Sequence, residues 1–253
     1  MLAGNIYAID DTANSLLRVD QLTNAITLVG STGVGTGDFG DLTYDANHNV
    51  MYWVPGRGNN NLYTINVSTG AATLVGSHGI NGMFALAYDT ANDTLYAESQ
   101  STQNLYSLNT LTGAATLIGS SGITVVGGFT YRPDNNTLYL MQSGGGALYT
   151  INTSTGAATL FSAGSGFVDD GGIAWDPELN LFWVNEFGPR DILQYNAAFS
   201  SRSQVAVHGN TLDGIAFVPG GGTNVPEPGT LGLLACGGLT LGLLRLRLKR
   251  SVS

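Results

Sequence analysis

Acidic side chains beside glycines are the residues of this sequence whose type and spacing could do chemistry. They lie in the segments GDFGD, VDDGG and LDG and at the ends of two apolar segments, at Asp38, Asp169, Asp170, Asp213, Glu98 and Glu186. Carboxylate oxygens that converge on one point are good ligands for Ca²⁺. These acids form a candidate site for a cation or another ligand, provided that the fold brings their segments together.

Other residue types with chemical potential are isolated. His48, His78 and His208 have no metal-ligand spacing, and none is paired with a serine in a GxSxG segment, so we expect surface or structural roles for them. The glycine-rich run Ser143–Ala147 lacks the Lys-Ser/Thr of a phosphate-binding loop. The single cysteine, Cys236, lies in an apolar tail, which excludes a disulfide within the chain. We therefore predict no catalytic residue.

The elements that must position the acids are internal repeats. The stretch NLYTINVSTGAATLVGS at Asn61–Ser77 returns at Asn104–Ser120 and at Ala147–Phe161, so that the turn glycine recurs every 43 residues. Looser copies precede and follow at Leu16–Ser31 and Ile192–Val207. A fixed period of this size is typical of a repeat architecture.

Each repeat contains four strand-like segments. In residues 84–119 these are FALAYD, TLYAES, NLYSLN and AATLIG, which we label A, B, C and D. The turns between them concentrate Asp, Asn, Pro and Gly, and the glycine of STGA is predicted to take a positive φ. Helical periodicity is missing from the first 220 residues. Four short antiparallel strands in about 43 residues predict an all-β fold, the β-propeller.

The two ends of the repeat region have complementary phases. The predicted A strands are Asp41–Asp45, Phe84–Asp89, Gly128–Arg132, Gly172–Asp176 and Gly214–Val218. The chain begins with a B-like segment, NIYAID, and the last repeat stops after its A strand. Joining the ends gives about five closed blades and removes exposed strand edges. The alternatives are that the ends match by chance and that the propeller is longer, with further blades before Met1.

Charge excludes one class of partner. Residues 1–224 contain five arginines, no lysine and 17 acidic residues, a net charge of −12. Such a surface repels phosphate backbones, so nucleic acid is not an expected partner.

The A-to-D order with its aromatic-Asp, Leu-Tyr and turn-glycine motifs resembles the NHL, YWTD and YVTN families of propeller repeats. The resemblance implies that A strands line a central channel, where small residues such as Ala85 and Gly172 fit. The D–A and B–C loops of a propeller share one face, on which the acids would lie. Asn81 and Val126 interrupt their ring, so solvated loop acids are the competing interpretation. In gluconolactonase-like propellers a channel metal is held by Glu, Asn and Asp, for which Glu98, Asn185 and Asp213 are the nearest analogues.

The C-terminal part differs from the repeats. The predicted propeller covers 1–219, a Gly-rich linker covers 220–224, and residues 225–253 closely resemble the PEP-CTERM sorting signal of exported bacterial proteins. The motif is Val225, Pro226, Glu227 and Pro228, followed by an apolar helix at 230–244 and the basic cluster Arg245, Arg247, Lys249 and Arg250. At about 1.5 Å per residue this helix could span a bilayer core, with the basic cluster stopping transfer.

The resemblance to sorting signals implies a destination. An exosortase-like membrane protease would be the processing partner, and the protein would be exported, transiently anchored in the inner membrane, and then released to the cell surface or the extracellular space. An ordinary tail anchor is the alternative. The segment MLAGNIYAID lacks the basic and apolar regions of a signal peptide, so we expect a misplaced start codon or a fragment.

Together these features predict a non-enzymatic surface or extracellular-matrix propeller that binds polysaccharide or another surface protein. Proteins with this sorting signal are associated with exopolysaccharide-producing bacteria. The alternative is a metal-dependent propeller hydrolase or lactonase with its site on the central channel. The fold class does not separate the two, because propellers host both.

Overall fold

The computed structural model describes residues 3–35, 40–124, 126–164, 170–186, 191–207, 209 and 211–220, with Asp170 and Val207 described by their backbone alone. Asp38, Asp169, His208 and the segment from 221 onward lie outside these residues, and with them most of the predicted linker and all of the sorting segment and apolar helix. The chain divides into the units Met1–Gly222 and Thr223–Ser253. No helix in the described ranges is long and apolar enough to cross a membrane.

The described part is built from short β-strands that match the Val-, Ile-, Leu-, Tyr- and Thr-rich segments of the repeats. The first ten are β1 Asn5–Asp10, β2 Ser15–Asp20, β3 Ile26–Ser31, β4 Asp41–Asp45, β5 Val50–Val54, β6 Asn61–Ile65, β7 Ala72–Ser77, β8 Met83–Asp89, β9 Thr94–Ser99 and β10 Asn104–Leu108. The others are β11 Ala115–Ser120, β12 Val126–Arg132, β13 Thr137–Gln142, β14 Ala147–Ile151, β15 Ala158–Ser162, β16 Asp170–Asp176, β17 Leu181–Glu186, β18 Asp191–Asn196, β19 Arg202–Val207 and β20 Leu212–Val218.

These strands form five four-stranded antiparallel sheets, which confirms the predicted blades. Blade 1 has the order β20-β1-β2-β3, and blades 2 to 5 are the consecutive sets β4–β7, β8–β11, β12–β15 and β16–β19. The A strands are β4, β8, β12, β16 and β20, and each of them contacts the A strands of the two neighbouring blades. The A strands therefore form a closed ring around the propeller axis.

Closure runs through the two ends of the repeat region, as predicted. Strand β1 pairs with β20 from Asn5 opposite Val218 to Asp10 opposite Leu212. The A strand of blade 1 thus comes from the end of the repeat region and its B, C and D strands come from the beginning. The D strands remain as the outer edges of the blades.

The A strands begin earlier than the repeat pattern indicates in four of five blades. Strand β8 starts one residue earlier, at Met83, while β12 and β16 start two residues earlier, at Val126 and Asp170, as does β20. The ladders of β8, β12 and β16 shift register just after these starts. A bulge admits an extra residue into the ladder, and regular alternation in sequence does not reveal it.

Apolar side chains fill the spaces between neighbouring blades. Tyr52 of blade 2 packs with Leu86 and Tyr88 of blade 3, and Tyr139 of blade 4 packs with Trp175 and Phe182 of blade 5. Blades 5 and 1 are joined in the same way by a cluster that includes Trp183 and Phe217. The core is therefore a series of sheet-to-sheet interfaces around the axis.

The glycines of the C–D turns join the blades at their outer side. Gly70, Gly113 and Gly156 have φ values of 80°, 76° and 79°, which confirms the predicted positive φ. A Cβ on Gly113 would lie 2.5 Å from the carbonyl oxygen of Gly76 in the preceding blade, and Gly70 and Gly156 face Gly30 and Gly119 in the same way. In this turn glycine supplies both the backbone conformation and the close approach of two blades.

Candidate functional site

The carboxylate of Asp41 reaches across the propeller axis. Asp41 occupies an A-strand position whose equivalents in the other blades are Ala85, Gly128, Gly172 and Gly214. The Asp41 side chain is fully buried, and its Oδ2 accepts hydrogen bonds from the backbone N–H of Leu86 at 2.8 Å and of Phe129 at 3.1 Å. Its Oδ1 accepts from the N–H of Leu42 at 2.9 Å. One side chain thus links blades 2, 3 and 4.

The glycines on the other side of the ring allow the A strands to touch through their backbones. A Cβ on Gly128 would lie 2.5 Å from the nitrogen of Ile173, and one on Gly172 would lie 2.7 Å from the nitrogen of Ile215. A Cβ on Gly214 would lie 2.5 Å from the Cα of Asp41. At this level the axis is occupied by backbone and by the Asp41 carboxylate, so the expectation of small residues around a crowded axis is confirmed.

Burial controls the electrostatics of Asp41. Desolvation raises the pKa of this carboxyl well above its usual range, and the N–H groups of Leu86, Leu42 and Phe129 oppose that shift. The carboxylate of Asp213 raises the Asp41 pKa further. Asp213 lies in β20 directly before Gly214 and is 2% exposed. The fold therefore brings one of the predicted ligand residues, Asp213, to the axis beside Asp41.

Glu98 is the second-last residue of strand β9 and lies on the face formed by the D–A and B–C loops, which we call the D–A face. It is fully buried, and its Oε1 accepts a hydrogen bond from the Ser121 hydroxyl. Its Oε2 has no hydrogen-bond partner among the described residues. Burial raises the pKa of Glu98 to about 7, against which the Ser121 hydrogen bond acts. Glu98 therefore changes its charge near neutral pH.

Glu186 lies on the same face at the end of β17 and is 6% exposed. Burial raises the pKa of Glu186, and the guanidinium of Arg202, whose Nη1 is 3.9 Å from Oε1, lowers it. The neighbouring Asn185 occupies the position equivalent to Glu98. The Asn185 amide donates from Nδ2 to the carbonyl oxygen of Leu212 at 2.6 Å, while its buried Oδ1 has no partner in the described part of the chain.

The predicted ring of acids is placed only in part. Asp38 and Asp169 lie outside the described residues, and Asp170 is placed in β16 by its backbone alone. Within the described ranges, no three side chains of His, Cys, Asp or Glu come close enough together to hold a metal ion. Glu98 and Glu186 belong to blades 3 and 5, and Asp213 belongs to blade 1. The geometry thus brings Asp213 to the axial carboxylate and distributes the two glutamates around the D–A face.

Two histidines occupy different environments. His48 is exposed in the A–B turn of blade 2, and its Nδ1 lies 2.8 Å from Asp45 Oδ2. His78 follows β7 and is 5% exposed, and its Nδ1 accepts from the N–H of Ile80 at 3.2 Å. Burial lowers the pKa of His78 to about 4. Both environments fit the structural roles expected from the sequence.

A cavity lined by both apolar and polar groups lies at the other end of the axis, on the face formed by the A–B and C–D turns, which we call the A–B face. This axial cavity has a volume of about 100 Å³ and is lined by residues of all five A strands. Each blade contributes one aromatic side chain from the same strand position, namely Tyr44, Tyr88, Tyr131, Trp175 and Phe217. This ring was not predicted from the sequence, although an aromatic residue at the same place in every A strand was its signal.

Comparison with known proteins places the repeats in a family. The model of the family described as "Repeat of unknown function (DUF6923)" matches residues 3–172, about two thirds of the chain. The chain belongs to this family. Members of the DUF6923 family carry no assigned activity in that description, so the match adds no catalytic residue. No curated protein matches the chain.

Solved structures confirm the fold of this DUF6923 protein. A chain in the crystal structure of the Nidogen/Laminin Complex is similar with a TM-score of 0.63 and 10% identity, covering 85% of this chain and 98% of that one. A structural genomics protein of unknown function from Bacteroides thetaiotaomicron is similar with a TM-score of 0.59 and 19% identity, covering 80% of this chain and 55% of that one. At these identities the likeness concerns the propeller fold alone.

Proposed function

We propose that this DUF6923 protein is a non-enzymatic binding propeller of an exported bacterial protein. The observation that carries the proposal is the closed axis. Because Asp41 and the glycine backbones occupy the centre of the ring, a ligand reaches the propeller only from its two faces. A rigid closed ring that presents loops on one face suits recognition of a large partner.

The proposed partner is a matrix polysaccharide or another surface protein, bound on the D–A face. The likeness to a chain of the nidogen–laminin complex fits a binding or structural role, although it extends to the fold only. The acidic character of residues 1–224, with a net charge of −12, favours neutral or cationic partners over anionic ones.

The proposed route to the surface depends on the C-terminal sequence. Val225 to Pro228, the apolar helix at 230–244 and the basic cluster from Arg245 to Arg250 together support sorting by an exosortase-like protease. In this proposal the protein is held briefly in the inner membrane and then reaches the cell surface or the matrix.

A matched pair of substitutions tests the binding face. Ser101 is exposed in the B–C turn of blade 3, on the D–A face, and Ser154 is exposed in the C–D turn of blade 4, on the A–B face. We expect Ser101→Arg to weaken binding of the purified propeller to exopolysaccharide from the producing bacterium by about tenfold or more, and Ser154→Arg to leave it unchanged. Biolayer interferometry measures both. Equal binding by the two variants would move the site away from the D–A face, and no binding by the parent to polysaccharide or to surface protein extracts would exclude the proposed function.

A second candidate is a metal-dependent hydrolase or lactonase. The observation that favours it is that Glu98 Oε2 and Asn185 Oδ1 are both buried without a hydrogen-bond partner among the described residues, and both are oxygen atoms suited to Ca²⁺. We expect this candidate, if correct, to retain stoichiometric Ca²⁺ or Zn²⁺ after purification. Millimolar Ca²⁺ would then raise the Tm by more than about 5 °C, and combined Asp169→Asn, Asp170→Asn and Asp213→Asn substitutions would abolish that shift.

A further inference from the structure

We propose that the A–B face is a membrane-docking surface, which lies against a zwitterionic phospholipid bilayer while the C-terminal apolar segment anchors the protein. The inference rests on the anchoring step of the proposed function, and it adds which face of the propeller meets the lipid. The D–A face, on which a large partner is proposed to bind, then points away from the bilayer.

The chain leaves the blades on the A–B face, close to the axis. Strand β20 is an A strand, so it runs from the D–A face to the A–B face and ends there at Val218. Pro219 lines the axial cavity on that face. The backbone N–H of Gly220 donates to Glu178 Oε1 at 3.1 Å, and Glu178 Oε2 accepts from the N–H of Gly4 at 2.9 Å. The Glu178 carboxylate, in the A–B turn of blade 5, therefore fixes the point at which the chain leaves.

The apolar segment follows after too few residues for the D–A face to meet the membrane. Residues 221–229 separate Gly220 from the apolar stretch at 230–244, and nine extended residues reach at most about 32 Å. A linker that went around a blade would first cross from the A strand to the D strand, about 14 Å, and then follow the length of a seven-residue strand such as β20, about 23 Å. That route is longer than the linker, whereas the A–B face needs no detour.

Exposed leucines stand in turns on the same face. Leu22 is 72% exposed in the C–D turn of blade 1, Leu111 is 86% exposed in the C–D turn of blade 3, and Leu179 is 43% exposed in the A–B turn of blade 5. Turns favour polar residues, such as Ser68 and Ser154 at the equivalent positions of blades 2 and 4. Transfer of leucine side chains from water to lipid is favourable in proportion to the apolar area removed from water. Because blades 1 and 5 are neighbours and blade 3 lies across the ring from them, the leucines support the face on both sides of the axis.

The charges of the A–B face favour zwitterionic lipid over anionic lipid. The guanidinium of Arg132 donates to the carboxylate of Asp134 through Nε and Nη2, both at 2.8 Å, and His48 Nδ1 lies 2.8 Å from Asp45 Oδ2. Because these two cations are already paired with carboxylates, they attract anionic head groups only weakly. The net charge of −12 on residues 1–224 opposes an anionic surface further. The apolar contact of the leucines is therefore the main attraction to the bilayer.

Two labelled positions report which face meets the lipid. In a Cys236→Ser background, Ser154→Cys accepts a thiol-reactive fluorophore on the A–B face and Ser101→Cys accepts it on the D–A face, and both positions are exposed. The full chain is reconstituted from detergent into phosphatidylcholine vesicles that contain phosphatidylcholine with a spin-labelled head group, which quenches a fluorophore at contact distance. We expect quenching at position 154 to exceed quenching at position 101 by at least about fivefold, because the A–B face lies at the lipid surface.

Substitution of the leucines tests what holds the face against the lipid. Leu22→Ser combined with Leu111→Ser should reduce the quenching at position 154 by at least about threefold, because the apolar contact with the bilayer is lost. The matched control combines Leu74→Ser with Leu117→Ser, which removes leucines that are 58% and 59% exposed on the D strands rather than on the A–B face. Quenching at position 154 should be unchanged in this control. All four leucines are exposed, so both double variants are expected to fold like the parent.

The possible failures are distinguishable. If the protein floats with the vesicles but position 154 is quenched no more than position 101, the docking face is overturned while the anchor stands. Full quenching at position 154 in the variant without Leu22 and Leu111 would overturn the leucine contact on which the docking surface depends. If the full chain does not float with the vesicles, the anchoring step of the proposed function fails and the docking inference fails with it. Polysaccharide binding on the D–A face is measured separately and does not depend on these outcomes.

Discussion

The carboxylate of Asp41 and the backbone N–H of Phe129 are joined by a hydrogen bond of 3.1 Å across the propeller axis, although 88 residues separate them in the chain. A second N–H, from Leu86, donates to the same Oδ2 atom. The four equivalent A-strand positions carry alanine or glycine, so among these five positions only Asp41 has a side chain with polar atoms. It joins three blades through backbone groups that would otherwise be buried without an acceptor.

Asp41→Ala is therefore expected to destabilise the propeller. Three buried N–H groups lose their acceptor, and at about 1–3 kcal/mol for each unsatisfied group the loss is expected to be about 3–9 kcal/mol. Asp41→Asn keeps an acceptor oxygen and removes the charge whose burial raises the pKa, so a loss of less than half as much is expected. Urea unfolding followed by circular dichroism measures both. A loss for Asp41→Ala of less than about 1 kcal/mol would show that water replaces the carboxylate.

The close approach of neighbouring blades can be tested with two glycines of similar conformation. Gly113 and Gly122 have φ values of 76° and 72°, but a Cβ on Gly113 would lie 2.5 Å from Gly76 O, whereas one on Gly122 would have nothing within 4 Å. Gly122→Ala is expected to cost about 1–2 kcal/mol, the price of a left-handed residue. Gly113→Ala should cost roughly 2 kcal/mol more, because the blades must separate. If urea unfolding shows equal losses of unfolding free energy for the two variants, the close approach of Gly113 to Gly76 relaxes at little energetic cost.

The blades and their closure into a ring could be predicted because the sequence signals that specify them are local and repeated. The 43-residue period, the turn glycines and the complementary ends indicated the blade, its four strands and the closure of β1 on β20. The contacts of Asp41 could not be predicted in the same way. In the sequence it is one acid in a GDFGD segment, and its partners at Leu86 and Phe129 are backbone groups of other blades.

The axial cavity was missed for a different reason. Each A strand carries an aromatic residue before its last position, and in three blades an aspartate follows it. That aspartate caps the A–B turn, as in Asp45 and Asp89, and in the sequence the aromatic-Asp pair is a motif of propeller repeats that does not show where its aromatic ring lies. Only the ring of A strands shows that the aromatic residues meet around one cavity. The D–A face was predicted less completely, because its acids form no ring in the described residues.

Glu98 and His78 are expected to give the stability of the protein opposite pH dependences. Burial raises the pKa of Glu98 to about 7. The contribution of Glu98 to the stability of the folded protein is therefore fully present below its pKa in the unfolded chain, near 4.5, and is lost as the pH rises through about 7. Burial lowers the pKa of His78 to about 4, so its contribution is fully present above about 6.5 and is lost as the pH falls through about 4. Between about pH 4.5 and 6.5 the two effects oppose each other.

Single substitutions should separate these two effects. Glu98→Gln mimics the protonated carboxyl, so relative to the parent this variant should lose stability as the pH falls from 6.5 to 4.5, by up to about 1.4 kcal/mol per pH unit. His78→Asn keeps an acceptor for the N–H of Ile80, and relative to the parent this variant should gain stability over the same range. Urea unfolding at four pH values measures both slopes. Parallel profiles for the parent and both variants would show that neither group titrates differently in the folded and unfolded states.

Closure through the ends of the repeat region predicts different effects of two truncations. Removing residues 1–31 deletes β1, β2 and β3 and leaves β20 without its partner. Ile6 and Val19 also leave the cluster that contains Ile215 and Phe217, so a loss of several kcal/mol, about 1.5–3 for each buried aliphatic side chain, is expected. Truncation after Gly222 should leave the Tm of the propeller unchanged, because no blade strand is removed. A protein without residues 1–31 that melts within about 2 °C of the parent would contradict the closed ring.

The proposed sorting route predicts that the cell-surface form has lost its C-terminal helix. Pro226 and Pro228 each fix their own φ and disfavour helix in the preceding residue, so the segment before the apolar helix is expected to be extended and accessible to a membrane protease. The basic cluster from Arg245 to Arg250 would hold that segment at a fixed depth. The intact mass of surface protein should therefore place its end between Val225 and Thr230, without Cys236.

Substitution of the motif tests the same step. Combined Pro226→Ala, Glu227→Ala and Pro228→Ala should trap uncut protein in the inner membrane, while the propeller keeps the Tm of the parent because the motif lies outside its strands. Substituting Gly220, Gly221 and Gly222 with alanine is the matched control, since it changes the linker and spares the motif, and normal processing is expected. Mass spectrometry of the membrane and surface fractions distinguishes the two. Surface protein that still ends at Ser253 would identify the helix as a permanent anchor, because a sorting protease that cuts near Pro228 would remove Ser253.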